Sequence, residues 1–121
     1  MGDLSPNFSR SEFACGCGCG FDAVSEDLVT RLQILRNELG TPIKVISGCR
    51  CPTRNAYVGG KQDSEHLRGE GADIECATSA DRHRMKVVIY SRRLFNRVGN
   101  SSGFLHVGVS KTLPQDVEWN Y

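Results

Sequence analysis

Segments with helical periodicity alternate with short strand-like segments, and this order decides the fold class. The clearest helix is predicted over Ser25–Leu39, because Ser25 is a natural N-cap, leucines recur at helical spacing and Gly40 follows. A second helix is predicted from Ser79 to roughly Leu94, where the apolar residues again recur at helical spacing. Two shorter helical turns are predicted in the sequences "SRSEFA" and "PTRNAYV".

Three short segments are predicted to form strands, and they are Ile43–Ser47, Ala72–Cys76 and "GFLHVGV". In the last of these, side-chain alternation places His106 and Gly108 on the face opposite to the inward apolar residues. Short strands divided by helices and long loops are typical of the α+β class. We therefore predict a single domain over residues 1–121, with a small, mainly antiparallel sheet and helices packed on one of its faces.

The overall charge and hydropathy exclude two classes of partner. A net charge of +1 gives no electrostatic basis for binding nucleic acid. The first residues contain no apolar core of signal-peptide length, and no run approaches the roughly 20 apolar residues of a membrane span. The expectation is a protein with no membrane partner that is made in the cytoplasm and acts elsewhere only after release.

Two histidines and one aspartate form the strongest chemical pattern in the sequence. His66 and Asp73 are seven residues apart with two glycines between them, so the chain can turn and present both side chains to one point. His106 lies on the polar face of a later predicted strand. Two imidazoles and one carboxylate are a common catalytic zinc set, because they leave a fourth position for water. His83, between two arginines on a predicted helix, is interpreted as a solvated residue.

Six segments occur in an order that resembles a known peptidase family, and they are "FSRSEFAC", "SGCRCPTRN", "VGG", "SEHLRGEGADI", "FLHVGV" and "WNY". Together they resemble the small zinc peptidases of the D-alanyl-D-alanine carboxypeptidase type. That group includes the vancomycin-resistance dipeptidases and phage L-alanyl-D-glutamate endolysins, and it shares its fold with the Hedgehog signalling domain. The resemblance implies a zinc-dependent D-Ala-D-Ala carboxypeptidase or peptidoglycan endopeptidase. It also implies a protein encoded by a phage or prophage that acts on the stem peptides of the bacterial cell wall. We further expect a monomer.

The resemblance also assigns roles to individual residues. It implies that His66, Asp73 and His106 are the zinc ligands. Arg50 matches the arginine of the family's SG-x-R turn, and its planar guanidinium suits a substrate carboxylate or a developing oxyanion. A structural bridge that holds the loop is the alternative role for Arg50. Ser64 matches a serine two residues before the first ligand and is expected to be catalytic, with capping of the loop as its alternative role.

The strand of the last ligand departs from the family pattern. Related enzymes carry an acidic or histidine general base just before this ligand, where Gly103 and Phe104 stand here. The closest small members also carry aspartate two residues after the histidine, where this chain has Gly108. Loss of a carboxylate that supports a metal ligand costs about 10 to 100-fold in affinity or activity. The alternative function is therefore a catalytically impaired zinc-binding member that serves as a cell-wall or protein binding module.

Three glutamates are candidates to replace the missing carboxylate. Alternation favours Glu75, which shares a predicted strand face with Asp73. Glu65 and Glu70 are nearer in sequence, but both are expected to be solvated carboxylates on a mobile loop.

The cysteines form a second pattern, in which "CGCGCG" begins at Cys15 and a C-x-C pair, Cys49 and Cys51, flanks Arg50. We predict that these two regions lie close together, either as a disulfide or as reduced thiols. A structural zinc held by these thiols is a further alternative. A cysteine-zinc module that binds protein or nucleic acid fits less well, because its usual spacing is C-x-x-C.

Overall fold

Five strands form one mixed sheet in the computed structural model, which describes residues 2–121. The strands are β1 (Val45–Ser47), β2 (Gly71–Glu75), β3 (Arg97–Ser101), β4 (Phe104–Gly108) and β5 (Val117–Asn120). Their order across the sheet is β1-β2-β4-β3-β5. The sheet is not mainly antiparallel, as the sequence predicted, because β5 runs parallel to β3 while the other neighbours are antiparallel. The parallel pair arises where residues 109–116 carry the chain past β3 to the far edge.

The helices follow the predicted periodicity closely. They are α1 (Glu26–Leu39), α2 (Pro52–Tyr57) and α3 (Ser79–Ser91), with short 3-10 helices at Arg10–Phe13 and Glu65–Arg68. The Ser25 hydroxyl accepts a hydrogen bond from the Leu28 N–H, and Gly40 ends α1 with a φ of 69°. Helix α3 is shorter than predicted, because Arg93 adopts a φ of 51° and turns the chain away.

The hydrophobic core lies between the helices and one face of the sheet. Strand residues Ala72, Ile74 and Leu105 are fully buried in one cluster with Leu28 and Leu32 of α1. The alternation predicted for β2 and β4 is confirmed by this cluster, which leaves the other face of the sheet for polar residues. Among residues 2–121, no helix combines the length and the apolarity needed to span a membrane.

Candidate metal centre

The three residues that the sequence singled out lie together on the polar face of the sheet. Asp73 Oδ1 is 3.2 Å from His66 Nε2 and 3.0 Å from His106 Nδ1. Their side chains are between 3% and 5% exposed. The three donor atoms lie within 4.8 Å of one another, which is a spacing that one metal ion can bridge.

Local structure explains how the three side chains meet. Asp73 of β2 and His106 of β4 are direct partners in an antiparallel ladder, so their side chains project from the same face. His66 belongs to the 3-10 helix Glu65–Arg68, where the Ser64 hydroxyl accepts a hydrogen bond from the His66 N–H at 3.2 Å. Ser64 thus caps the turn that presents the first histidine, as its alternative role required.

The second nitrogen of each histidine also has a partner. His66 Nδ1 lies 2.6 Å from the Gly48 carbonyl oxygen, and His106 Nε2 lies 2.9 Å from Glu65 Oε1. Such contacts fix the orientation of an imidazole ring and the position of its proton. Both rings are therefore held with the remaining nitrogen directed toward Asp73.

Arg50 is bound to the carboxylate of this group. Its Nη2 donates to Asp73 Oδ2 at 3.1 Å, while its Nε donates to Ser47 Oγ at 3.1 Å and its Nη1 to Asn55 Oδ1 at 3.4 Å. Burial raises the pKa of Asp73, but hydrogen bonds from His106 and His66 outweigh it and hold that pKa well below its usual range. Asp73 is therefore an anionic donor, and Arg50 bridges it to the loop.

The group lies at the base of a cleft of about 310 Å³. One wall is aromatic and consists of Phe104, Trp119 and Tyr121. The Trp119 ring lies 5.5 Å from the His106 ring, between centroids, so the wall reaches the donor group itself. Lys61 and Asp63 also line the cleft and add charged groups to it. His83 is exposed on α3 and is not among the residues that line the cleft.

The family model for peptidase M15 matches residues 6–108 of the chain. The chain belongs to the peptidase M15 family. The matched residues include the whole donor group and Arg50, whereas β5 lies beyond them. No curated protein matches the chain. Members of the M15 family are generally zinc-dependent, and two imidazole nitrogens with one carboxylate oxygen are donors that zinc accepts. The residues present in this M15 peptidase therefore fit the metal of the family.

Glu65 is a buried residue of this site that the sequence patterns missed. Its side chain is 1% exposed, so the expectation of a solvated carboxylate is wrong. Besides contacting His106, it accepts a hydrogen bond from the Ser110 N–H at 2.9 Å and lies 3.0 Å from Arg97 Nε. Burial raises the pKa of Glu65, but the hydrogen bonds from His106 and Ser110 outweigh it and lower that pKa. Only the proximity of Glu65 to His66 in the sequence pointed to it.

The position of the Glu65 carboxylate explains why residue 108 is a glycine. A Cβ atom at this position would lie 2.0 Å from Glu65 Oε1 and 2.1 Å from Oε2. The expectation that Gly108 leaves the strand histidine unsupported is therefore wrong, because Glu65 fills the space beside it and binds His106. The other two candidate glutamates, Glu70 and Glu75, are not among the residues that line the cleft.

Proposed function

We propose that this M15 peptidase hydrolyses the stem peptides of bacterial peptidoglycan with zinc held by His66, Asp73 and His106. The observation that carries the proposal is the nitrogen and oxygen donor group at the base of an open cleft, in a chain that matches a peptidase family. Zinc bound there supplies a Lewis acid and lowers the pKa of a coordinated water to about 7. D-Ala-D-Ala carboxypeptidase and peptidoglycan endopeptidase activity are both within this proposal.

Arg50 serves two purposes in the proposed reaction. Its contact with Asp73 Oδ2 holds the carboxylate donor in place. Three of its N–H groups have protein acceptors, and a guanidinium has further N–H groups available for an anion. Because Arg50 lines the cleft, these groups are available to a substrate carboxylate or to the developing negative charge on a carbonyl oxygen.

The proton acceptor for the attacking water is proposed to be Asp63. Three carboxylates line the cleft, and they belong to Asp63, Glu65 and Asp73. Asp73 belongs to the donor group, and both oxygens of Glu65 already contact protein groups. Asp63 is exposed on the cleft wall, where a carboxylate can exchange protons with solvent. We expect Asp63→Asn to lower kcat by about 10² to 10⁴-fold while zinc content stays unchanged.

The substrate proposal is tested with zinc-loaded protein and defined peptides. We expect mass spectrometry to show that a stem pentapeptide is cleaved at its terminal D-Ala-D-Ala bond or at its L-Ala-D-Glu bond. The matched control peptide has L residues throughout and should stay intact. His106→Ala, which removes one donor, should lose the zinc of the cleft and should no longer cleave the peptide. Stoichiometric zinc with intact stem peptides would contradict the enzyme proposal and favour a cell-wall or protein binding module.

A further inference from the structure

Four cysteines form a compact cluster outside the cleft. Three come from the loop that begins at Cys15, and the fourth is Cys51 at the start of α2. Their sulfurs all lie within 4.8 Å of one another. The predicted proximity of the two cysteine regions is confirmed for Cys51, whereas Cys49 is buried in the hydrophobic core.

The distances between the sulfurs have the length expected for ligands of one metal. Cys15 Sγ lies 3.5 Å from Cys17 Sγ and 3.9 Å from Cys51 Sγ, and the last two sulfurs are 3.6 Å apart. Four sulfurs at about 2.3 Å from a tetrahedral zinc lie about 3.8 Å from one another. A disulfide would instead bring one pair to about 2.05 Å, and all four cysteines are free thiols.

The loop is shaped so that the sulfurs of Cys15, Cys17 and Cys19 lie around one centre. Its base is closed by a hydrogen bond from the Cys15 N–H to the Phe21 carbonyl at 2.8 Å. Gly18 and Gly20 adopt φ values of 78° and 90°, in the left-handed region that side chains other than glycine rarely adopt. In an extended strand Cys15, Cys17 and Cys19 would share a face but would be spaced about 6.6 Å apart along the chain, and the turn at Gly18 brings the three sulfurs together instead.

Polar groups around the cluster suit negatively charged sulfur. The Cys51 N–H donates to Cys15 Sγ, and the Arg54 N–H donates to Cys51 Sγ, both at 3.4 Å. The Arg54 guanidinium also lies over the loop, since a Cβ atom at Gly16 would be 3.4 Å from two of its nitrogens. A cation beside the loop offsets the excess negative charge of four thiolates around a divalent metal.

We propose that Cys15, Cys17, Cys19 and Cys51 bind a structural zinc ion as a closed tetrathiolate site. Each thiol releases its proton to solvent when its sulfur coordinates the metal. Cys17 and Cys19 are exposed, so the metal has an entry path, while Cys15 is buried and joins the site to the core. The site attaches the N-terminal loop to the turn that carries Arg50, and it is separate from the donor group in the cleft.

Metal analysis of anaerobically purified protein tests the site. We expect a second zinc equivalent per chain beyond the one proposed for the cleft. Cys17→Ser/Cys19→Ser should lose this equivalent, whereas Cys49→Ala, which changes a cysteine outside the cluster, should keep it. His106→Ala should retain the cysteine-bound zinc even though it loses the other. Cobalt substituted into His106→Ala should then give the intense visible absorption of tetrahedral thiolate coordination.

A measurement on the wild-type protein tests the site without relying on variants that could fail to fold. A thiol-blocking mercurial should release zinc to a metallochromic indicator in proportion to the cysteines modified. The proposal is overturned if the wild-type protein holds zinc only at the cleft, if it holds iron in the cluster, or if anaerobic preparations contain a disulfide among the four. Because each of these outcomes is read without peptide substrate, a failure here is distinct from a failure of the proposed peptidase function.

Discussion

At the scale of single residues, Glu65 and Gly108 have to be considered as a pair. The carboxylate that supports His106 comes from the turn before the first donor, and the glycine leaves it room. The three donors were predictable because their residue types and spacing carry the zinc pattern. The role of Glu65 was not predictable from the sequence. Its buried position depends on contacts with Arg97 and Ser110, and these residues come close to Glu65 only in the folded chain.

This pairing predicts what happens when the carboxylate that supports His106 is moved from position 65 to position 108. Gly108→Asp alone should lower kcat/KM, because the new Cβ overlaps Glu65 and two carboxylates then compete for one buried space. Glu65→Ala alone should cost about 10 to 100-fold in zinc affinity or activity, because His106 Nε2 loses its acceptor. The double variant Glu65→Ala/Gly108→Asp should recover much of the loss. Peptide cleavage and zinc content measure all three, with exposed Glu75→Gln as the silent control. If the double variant lost as much activity and zinc as Glu65→Ala alone, an aspartate at position 108 would not replace Glu65.

At the scale of elements, the helices and the two central strands follow from periodicity, while β3 and β5 do not. The β3 sequence "RVGNS" offers one β-branched residue and an internal glycine, which is a weak strand signal. That glycine is required by β5, because a Cβ atom at Gly99 would lie 2.7 Å from the Trp119 ring. Strand β5 is held further by Glu118, which binds Tyr90 and Lys86 of α3.

The Glu118 contacts predict a pH-dependent contribution to stability. The hydrogen bond from Tyr90 has the largest effect on the pKa of Glu118. Burial opposes it, hydrogen bonds from Asn100 and Lys86 add to it, and together they lower this pKa from 4.5 to about 2. A folded-state pKa below the unfolded one means that the stabilisation is complete above about pH 4.5 and is lost as pH falls toward 2. The urea midpoint of Glu118→Gln should therefore lie below that of wild type at pH 7, and the two should converge in acid.

A matched control for this measurement is available on the surface. Glu38→Gln removes an ion pair with Arg92 whose two side chains are 43% and 51% exposed. Exposed pairs contribute little, so this variant should stay close to wild type at every pH. A gap between Glu118→Gln and wild type that persists at pH 2 would show that Glu118 acts through packing instead of charge.

At the scale of the whole molecule, both proposed metal sites meet at residues 48–51. Gly48 contacts His66, Arg50 contacts Asp73, and Cys51 belongs to the cysteine cluster. The sequence predicted that these regions are neighbours, but the mixed sheet and the path to β5 depend on contacts between distant segments. Metal binding should therefore contribute to the stability of the entire fold.

We expect zinc to raise the melting temperature of the chain. A free zinc concentration 100-fold above the Kd of one site stabilises the folded state by about 2.7 kcal/mol, or roughly 10 °C for a chain of this size. A strong chelator should therefore lower the melting temperature of wild type by more than that of Cys17→Ser/Cys19→Ser, which starts with one site fewer. Differential scanning fluorimetry measures the shifts, and equal shifts in the two proteins would speak against a contribution from the cysteine site.

The position of β5 separates the aromatic wall of the cleft from the strands that carry two of the three donors. The donors stand on central β2 and β4 and on the turn before them, while Trp119 and Tyr121 belong to an edge segment that pairs with β3. Substitutions in the edge segment can therefore change the aromatic wall while β2 and β4 keep their donors in place. The shape of the cleft and the position of its donors are thus set by different strands.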